Sequence, residues 1–288
     1  MVTRLLLIGY QRSGSTAVKT ICTRHPQVAY FGGDLQINPF FTRGFASFTI
    51  GYQSKAASER GIRALFDTIC GLEANEETRC LCAKVVCNSP ESAKKLAESI
   101  TKNIPEMKII LVRRHDLVAQ YGSRSKARLT GVAHSWDTKY VSSEPSTTVS
   151  INKHLLARFV HVVEQTYAEL DKLRENHDVL DVSYEEFDKD NAGTRREIEQ
   201  FIGLDEVPLG EMHSTKVSPA PEDYIRQYKQ LKEFADSERQ RVADGTVKPW
   251  YAQAVRVLTK LEGMLHKSRG VRRQKIRRDL REKHLQNR

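Results

Sequence analysis

Short apolar runs recur along the chain, and most are followed by stretches with apolar residues at helical spacing. The runs cover residues 5–8 (LLLI), 28–31 (VAYF), 81–87 (LCAKVVC), 109–112 (IILV) and 179–184 (VLDVSY). Runs this short, bounded by turn residues, read as strands buried on both faces of a parallel sheet. The intervening pattern predicts helices over 17–24, 61–72, 90–101, 151–176 and 194–202, and another after Asp116 through Val118, Ala119 and Tyr121. His25-Pro26 ends the first of these. Pro90 opens a later one, and Gly203 stops the helix over 194–202. Residues 222–245 and 255–265 read as further helices, the first of them highly charged. Residues 35–60 and 131–150 are polar or aromatic without clear period and read as loops.

The most informative junction follows the first strand. Gly9-Tyr10-Gln11-Arg12-Ser13-Gly14-Ser15-Thr16 links the run LLLI to a helix. A strand, a Gly-rich turn and a helix N-terminus together cradle an anion with backbone N–H groups. Against the P-loop spacing G-x-x-x-x-G-K-[ST], Gly9, Gly14 and Thr16 are in place, but Ser15 stands where the Lys would be. Kinase or ATPase chemistry needs that Lys on the β/γ-phosphates. The nearest cation here is Arg12, inside the loop. The simpler reading is a tight turn whose Ser and Thr only cap the helix. The expected fold is α/β: a P-loop-like three-layer sandwich with a central, mostly parallel sheet flanked by helices, plus a helical C-terminal extension. Residues 1–220 would form the α/β domain, 221–266 its helical extension and 267–288 a basic tail.

A second junction, 108–125 (KIILVRRHDLVAQYGSRS), places Arg113 and Arg114 at the end of a strand, ahead of a helix. Two arginines there bring planar, bidentate donors to a phosphate. Ser123 and Ser125 lie along the helix and can add hydroxyls. The competing reading is an Arg–Asp116 ion pair that caps the helix.

The stretch Gln11-Arg12-Ser13-Gly14-Ser15-Thr16 resembles the 5′-phosphosulfate loop of sulfotransferases that use 3′-phosphoadenosine 5′-phosphosulfate (PAPS). That family usually writes it Pro-Arg/Lys-Ser-Gly-Thr/Ser-Thr, so Gln11 replaces a Pro. The order Arg-Arg-x-Asp-x-x-Ala-Gln-x-x-Ser, then Ala127, Thr130, Gly131 and His134, is similar to bacterial trehalose 2-sulfotransferase-like enzymes. The similarity runs through roughly residues 4–220. It implies that residues 11–16 hold the 5′ end of PAPS and that Arg12 stabilises the transferring group. It also implies that Arg114 and Ser123 hold the 3′-phosphate. Lys84, on a strand where related enzymes carry a Lys, would face the ligand; the alternative is a Lys that snorkels from a sheet edge. Lys216 would belong to a late basic loop against the 3′-phosphate. Asp34 sits where the family's proposed base, a Glu, would be; a turn-forming Asp is the alternative. His134 is a second candidate base, against a solvated loop residue. Tyr184 and Glu185 match a late core strand and read as structural.

The resemblance implies transfer of a sulfuryl group from PAPS to a hydroxyl of a carbohydrate or small metabolite, with PAP as product and no metal. Two alternatives remain: an atypical P-loop nucleotide or metabolite kinase, and a non-catalytic PAPS- or nucleotide-binding module.

Composition narrows the remaining classes. The chain has 288 residues and a net charge of +10. Residues 267–288 hold ten Lys/Arg against Asp279 and Glu282, so most of that excess lies in the tail. The basic balance therefore does not argue for a nucleic-acid-binding fold. The tail reads as a solvated arm, or as a contact for anionic surfaces. No apolar run reaches membrane-spanning length, and no leader pattern opens the chain. The expected location is the cytoplasm. The five cysteines include no C-x-x-C, so reduced thiols are expected, and a Cys80/Cys82/Cys87 metal site is the less favoured reading.

Overall fold

The computed structural model describes residues 2–30, 35–36, 66–67, 74–130, 148–207 and 220–247. The strands are β1 (Thr3–Tyr10), β2 (Val28–Tyr30), β3 (Leu35–Gln36), β4 (Cys80–Cys87), β5 (Lys108–Arg113) and β6 (Val179–Ser183). The helices are α1 (Ser15–Arg24), α2 (Pro90–Asn103), α3 (Leu117–Thr130), α4 (Lys153–Asp171), α5 (Tyr184–Lys189), α6 (Asn191–Ile202), α7 (Pro221–Tyr224) and α8 (Tyr228–Ala243). The strand order is β2-β4-β1-β5-β6, with β3 also paired to β4. Every described pairing is parallel.

The period of two along the strands divides the core. Leu6, Ile8 and Tyr10 face the layer that contains α2, α4 and α8, together with Ala83, Val85, Ile109 and Leu111. Leu5 and Leu7 face α1 and α6, together with Cys80, Cys82, Ile110 and Val112. The result is the expected three-layer α/β sandwich. Leu5, Leu6, Leu7 and Ile8 are fully buried, each worth roughly 2 kcal/mol relative to exposure. The same alternation separates the cysteines: Cys80 and Cys82 lie on one face and Cys87 on the other. The three cannot share one metal ion. Cys22, Cys80, Cys82 and Cys87 are all buried and form no disulfide.

Local chemistry sets the element ends. Ser89 caps α2 through its side chain, with Pro90 in the first turn. Asn152 caps α4 by accepting the N–H groups of His154 and Leu155. The long helix expected over 151–176 ends at Asp171 and finishes as one 3₁₀ turn, Lys172–Glu175. Gly203 closes α6 at φ 82°, a left-handed conformation that suits glycine. The strand expected to reach Tyr184 stops one residue earlier. Ser183 accepts the Glu186 N–H and turns the chain into α5. The single helix expected over 222–245 is broken after Tyr224, where Ile225 bridges to Val149 and Gln227 adopts φ 58°.

The chain groups into two compact units, Met1–Arg239 and Gln240–Arg288. Of the second, residues 240–247 are described. The expected helix over 255–265 and the basic tail lie outside the described residues, as does all but 66–67 of the one over 61–72. Among the described residues no helix is long and apolar enough to cross a membrane.

Candidate active site

The site lies at the C-terminal edge of the sheet, where strand order reverses around β1 and α/β proteins bind ligands. The loop after β1 is tight. The Ser13 N–H donates to the Tyr10 carbonyl at 3.0 Å. Arg12 sits at φ 68° and Gly14 at φ 90°. A Cβ at Gly9 would fall 2.5 Å from Ser13 Oγ, and one at Gly14 would fall 2.1 Å from Tyr184 Cδ2. Both glycines of the motif are therefore required by close approach, and the second also by its φ.

Two buried side chains pin this loop. Gln120 donates to the Gln11 carbonyl at 2.9 Å. Tyr167, on α4, accepts the Tyr10 N–H at 3.1 Å and donates to the Val112 carbonyl at 2.6 Å. One phenol thus ties the end of β1 to the end of β5. Burial holds Tyr167 in its protonated form, above its ordinary pKa. Ser13 Oγ is buried near the Tyr167 hydroxyl. Ser15 is also buried.

Arg12 reaches across to α3, where its Nε and Nη2 both donate to Ser123 Oγ at 3.0 Å. Burial, and then the adjacent charge of Arg114, lower its pKa from the usual guanidinium value; the side chain stays charged. Arg114 stacks its guanidinium 4.7 Å from the Tyr184 ring centroid. Its buried Nε has no hydrogen-bond partner among the described residues. Two neighbouring cations, an orphaned donor and a loop of N–H groups form an arrangement that an anion would complete.

The neighbouring arginine does different work. Arg113 pairs with Asp171 and with Asp181, the latter at 2.9 Å, and stacks on Tyr167 at 4.6 Å. Burial opposes its charge, but the Asp181 hydrogen bond and the Asp171 charge outweigh that and raise its pKa. The expected Arg–Asp116 ion pair is therefore not formed: Arg113 pairs with Asp171 and Asp181 instead. Asp116 accepts instead from the Ala119 N–H at 2.8 Å and from the Tyr228 hydroxyl. Glu185 closes the same turn by accepting the N–H groups of His115 and Asp116, each at 3.1 Å. Burial would raise the Glu185 pKa; the two N–H bonds and Arg114 outweigh it and hold the carboxylate below its usual range.

Lys84 is not a snorkelling edge residue. β4 is flanked by β1 and β2, and Lys84 is 1% exposed. Its Nζ donates to Thr16 Oγ1 at 2.8 Å, at the start of α1. Loop residues 11–16, Lys84, Arg114 and Ser123 therefore converge. Asp34, His134 and Lys216 lie outside the described residues. Among the described residues no cluster of three or more His, Cys, Asp or Glu could hold a metal ion.

Sequence reasoning missed the aromatic frame. Tyr184 was legible as the end of a core strand, yet it packs on Gly14 and carries Arg114. Gln120 stood in the quoted motif without a role and Tyr167 gave no signal, because each acts on backbone atoms distant in sequence. Tyr224 and Tyr228 stand in a stretch that read only as charged helix.

No curated protein matches the chain. Among solved structures, it is similar to a sulfotransferase from Alicyclobacillus acidocaldarius (15% identity, TM-score 0.47, 84% of this chain and 94% of that one). It is also similar to the sulfotransferase domain of the Synechococcus PCC 7002 olefin synthase (16%, 0.46, 84% and 95%). A third is mouse sulfotransferase SULT7A1 complexed with PAP (15%, 0.39, 82% and 64%). A family model described as the sulfotransferase family matches residues 5–208, well over half of the chain. Both phosphate-type junctions fall inside that span, and the chain belongs to the sulfotransferase family.

Proposed function

We propose that the chain moves a sulfuryl group from PAPS to a hydroxyl of a carbohydrate or small metabolite and releases PAP. The observation behind this reading is the meeting of Arg12, Arg114 and Ser123 beside the 11–16 loop, without a Lys before Thr16. Sulfuryl transfer builds charge on the leaving phosphate oxygen and on the equatorial sulfonate oxygens. Fixed donors that meet that charge lower the barrier, each worth about 3 kcal/mol. Arg12, the N–H groups of the loop and Lys84 through Thr16 would serve the 5′ end. Arg114 and Ser123 would hold the 3′-phosphate, with Lys216 as a further candidate there. Asp34, or else His134, would take the acceptor proton. No step calls for a metal ion. Buried thiols outside any disulfide, at the four described cysteines, favour a reducing compartment such as the cytoplasm. The basic tail would be a solvated arm.

The deciding experiment is calorimetric titration of PAP, ADP and Mg²⁺–ATP into wild type and Arg114→Ala. Metal-independent PAP binding that exceeds ADP binding and weakens in the variant is expected. Preference for Mg²⁺–ATP, or indifference to Arg114, would return the loop to kinase chemistry. PAP binding without turnover across a panel of hydroxyl acceptors would favour a binding module.

A further inference from the structure

One polar group beside the two arginines has no task in the scheme above. Tyr224 ends the short helix α7 and is 3% exposed. Its backbone is fixed: the Val149 N–H donates to its carbonyl at 2.7 Å, and the Arg226 N–H donates to the Val149 carbonyl at 3.1 Å. The next residue, Ile225, fits against Gly122, where a Cβ would fall 2.3 Å from Ile225 Cδ1 and 3.5 Å from Tyr224 Cε2. Gly122 immediately precedes Ser123, so Tyr224 is locked onto α3 next to that serine. Lys126 covers its ring at 5.2 Å.

The charged and polar neighbours of Tyr224 are Arg114, Asp116, Arg12 and Tyr184, and its hydroxyl makes no hydrogen bond with any of them. Tyr228, four residues on at the start of α8, has its hydroxyl taken by Asp116. Burial raises the Tyr224 pKa, so the group is a neutral donor at ordinary pH.

We infer that the Tyr224 hydroxyl is a third ligand, with Arg114 and Ser123, for a phosphomonoester on the donor nucleotide. This rests on reading Arg114 and Ser123 as the 3′-phosphate site. The buried ring offers no face on which a base could stack, so the contact is the hydroxyl. A neutral donor strengthens the hold on a dianion without adding a third positive charge beside Arg12 and Arg114. Tyr224 lies beyond residue 208, where the family match ends. The segment after residue 220 is then part of the donor site.

The test is Tyr224→Phe in the full chain, with PAP titrated by calorimetry, ADP measured in competition, and melting followed alongside. Hydrogen bonds to charged groups are worth about 1.5–3 kcal/mol. PAP affinity should therefore fall roughly tenfold or more, with ADP affinity and melting temperature unchanged. Tyr228→Phe is the control: it should lower the melting temperature and keep the wild-type ratio of PAP to ADP affinity. The inference is overturned if Tyr224→Phe keeps the wild-type ratio, or if it loses both ligands together with melting temperature. Wild type that fails to prefer PAP over ADP is a separate result, and it removes the 3′-phosphate reading itself.

Discussion

The guanidinium of Arg12 and the hydroxyl of Ser123 are joined by two hydrogen bonds of 3.0 Å across 111 residues of sequence. The first comes from the loop after β1 and the second from α3. Ser123→Ala would release Arg12 and remove a hydroxyl from the proposed 3′-phosphate site. PAP affinity should fall about tenfold. Arg12→Ala removes one of two adjacent half-buried cations, so its melting temperature should hold or rise while PAP binding drops at least as far. Calorimetry and thermal melts on the two variants check both. A fall in melting temperature for Arg12→Ala would show that the arginine braces the fold.

Gly14→Ala should be severe for two independent reasons. The residue sits at φ 90°, and its new methyl group would collide with the Tyr184 ring. A cost of about 2 kcal/mol or more is expected, which lowers the melting temperature by roughly 5 °C in a chain of this size. Tyr184→Ala in the same chain removes the collision but not the backbone strain, so it should restore part of the loss at most. Full recovery in the double variant would mean that φ contributes nothing.

Lys84→Met separates stability from function. A buried ammonium is costly to hold, and Met has a similar length. The variant should melt at the wild-type temperature or higher. It should also bind PAP more weakly, since Thr16 loses the Lys84 contact at 2.8 Å. Melting well below wild type would make Lys84 a structural residue.

Glu185 predicts an acid-side loss of stability. Its pKa in the fold lies below the ordinary value of 4.5. Below pH 4.5 the unfolded chain takes up a proton that the fold resists, so stability falls with pH until the folded carboxylate also protonates. At neutral pH the stabilisation is fully present. Glu185→Gln should therefore melt lower than wild type at pH 7, with the gap narrowing towards pH 3. A gap independent of pH would remove Glu185 as the source.

The strands and most helices could be read from the chain because burial on both faces leaves unbroken apolar runs, as in LLLI and IILV. The turn after β1 was legible for a related reason: close approach at positions 9 and 14, and positive φ at 14, call for glycine. Less accessible were contacts set by three-dimensional packing. Nothing local marks Gln120 or Tyr167 as loop anchors, since their partners are backbone atoms on other elements. The break between α7 and α8 was hidden too, because it is made by Val149, far upstream. Ser183 was read as strand because its capping role depends on an N–H three residues ahead.

Arg113 and Arg114 are chemically identical neighbours at and just past the end of β5, and successive side chains there point to opposite faces and separate duties. One is tied into a carboxylate network; the other stands over Tyr184. Their duties are thus assigned by reading frame rather than by residue type. Deleting a single residue from β5 would leave both arginines in the chain and yet turn each to the opposite face of the sheet. A library of point substitutions at these two positions would sort into expression defects at 113 and ligand defects at 114, whereas one-residue deletions in the strand would combine the two.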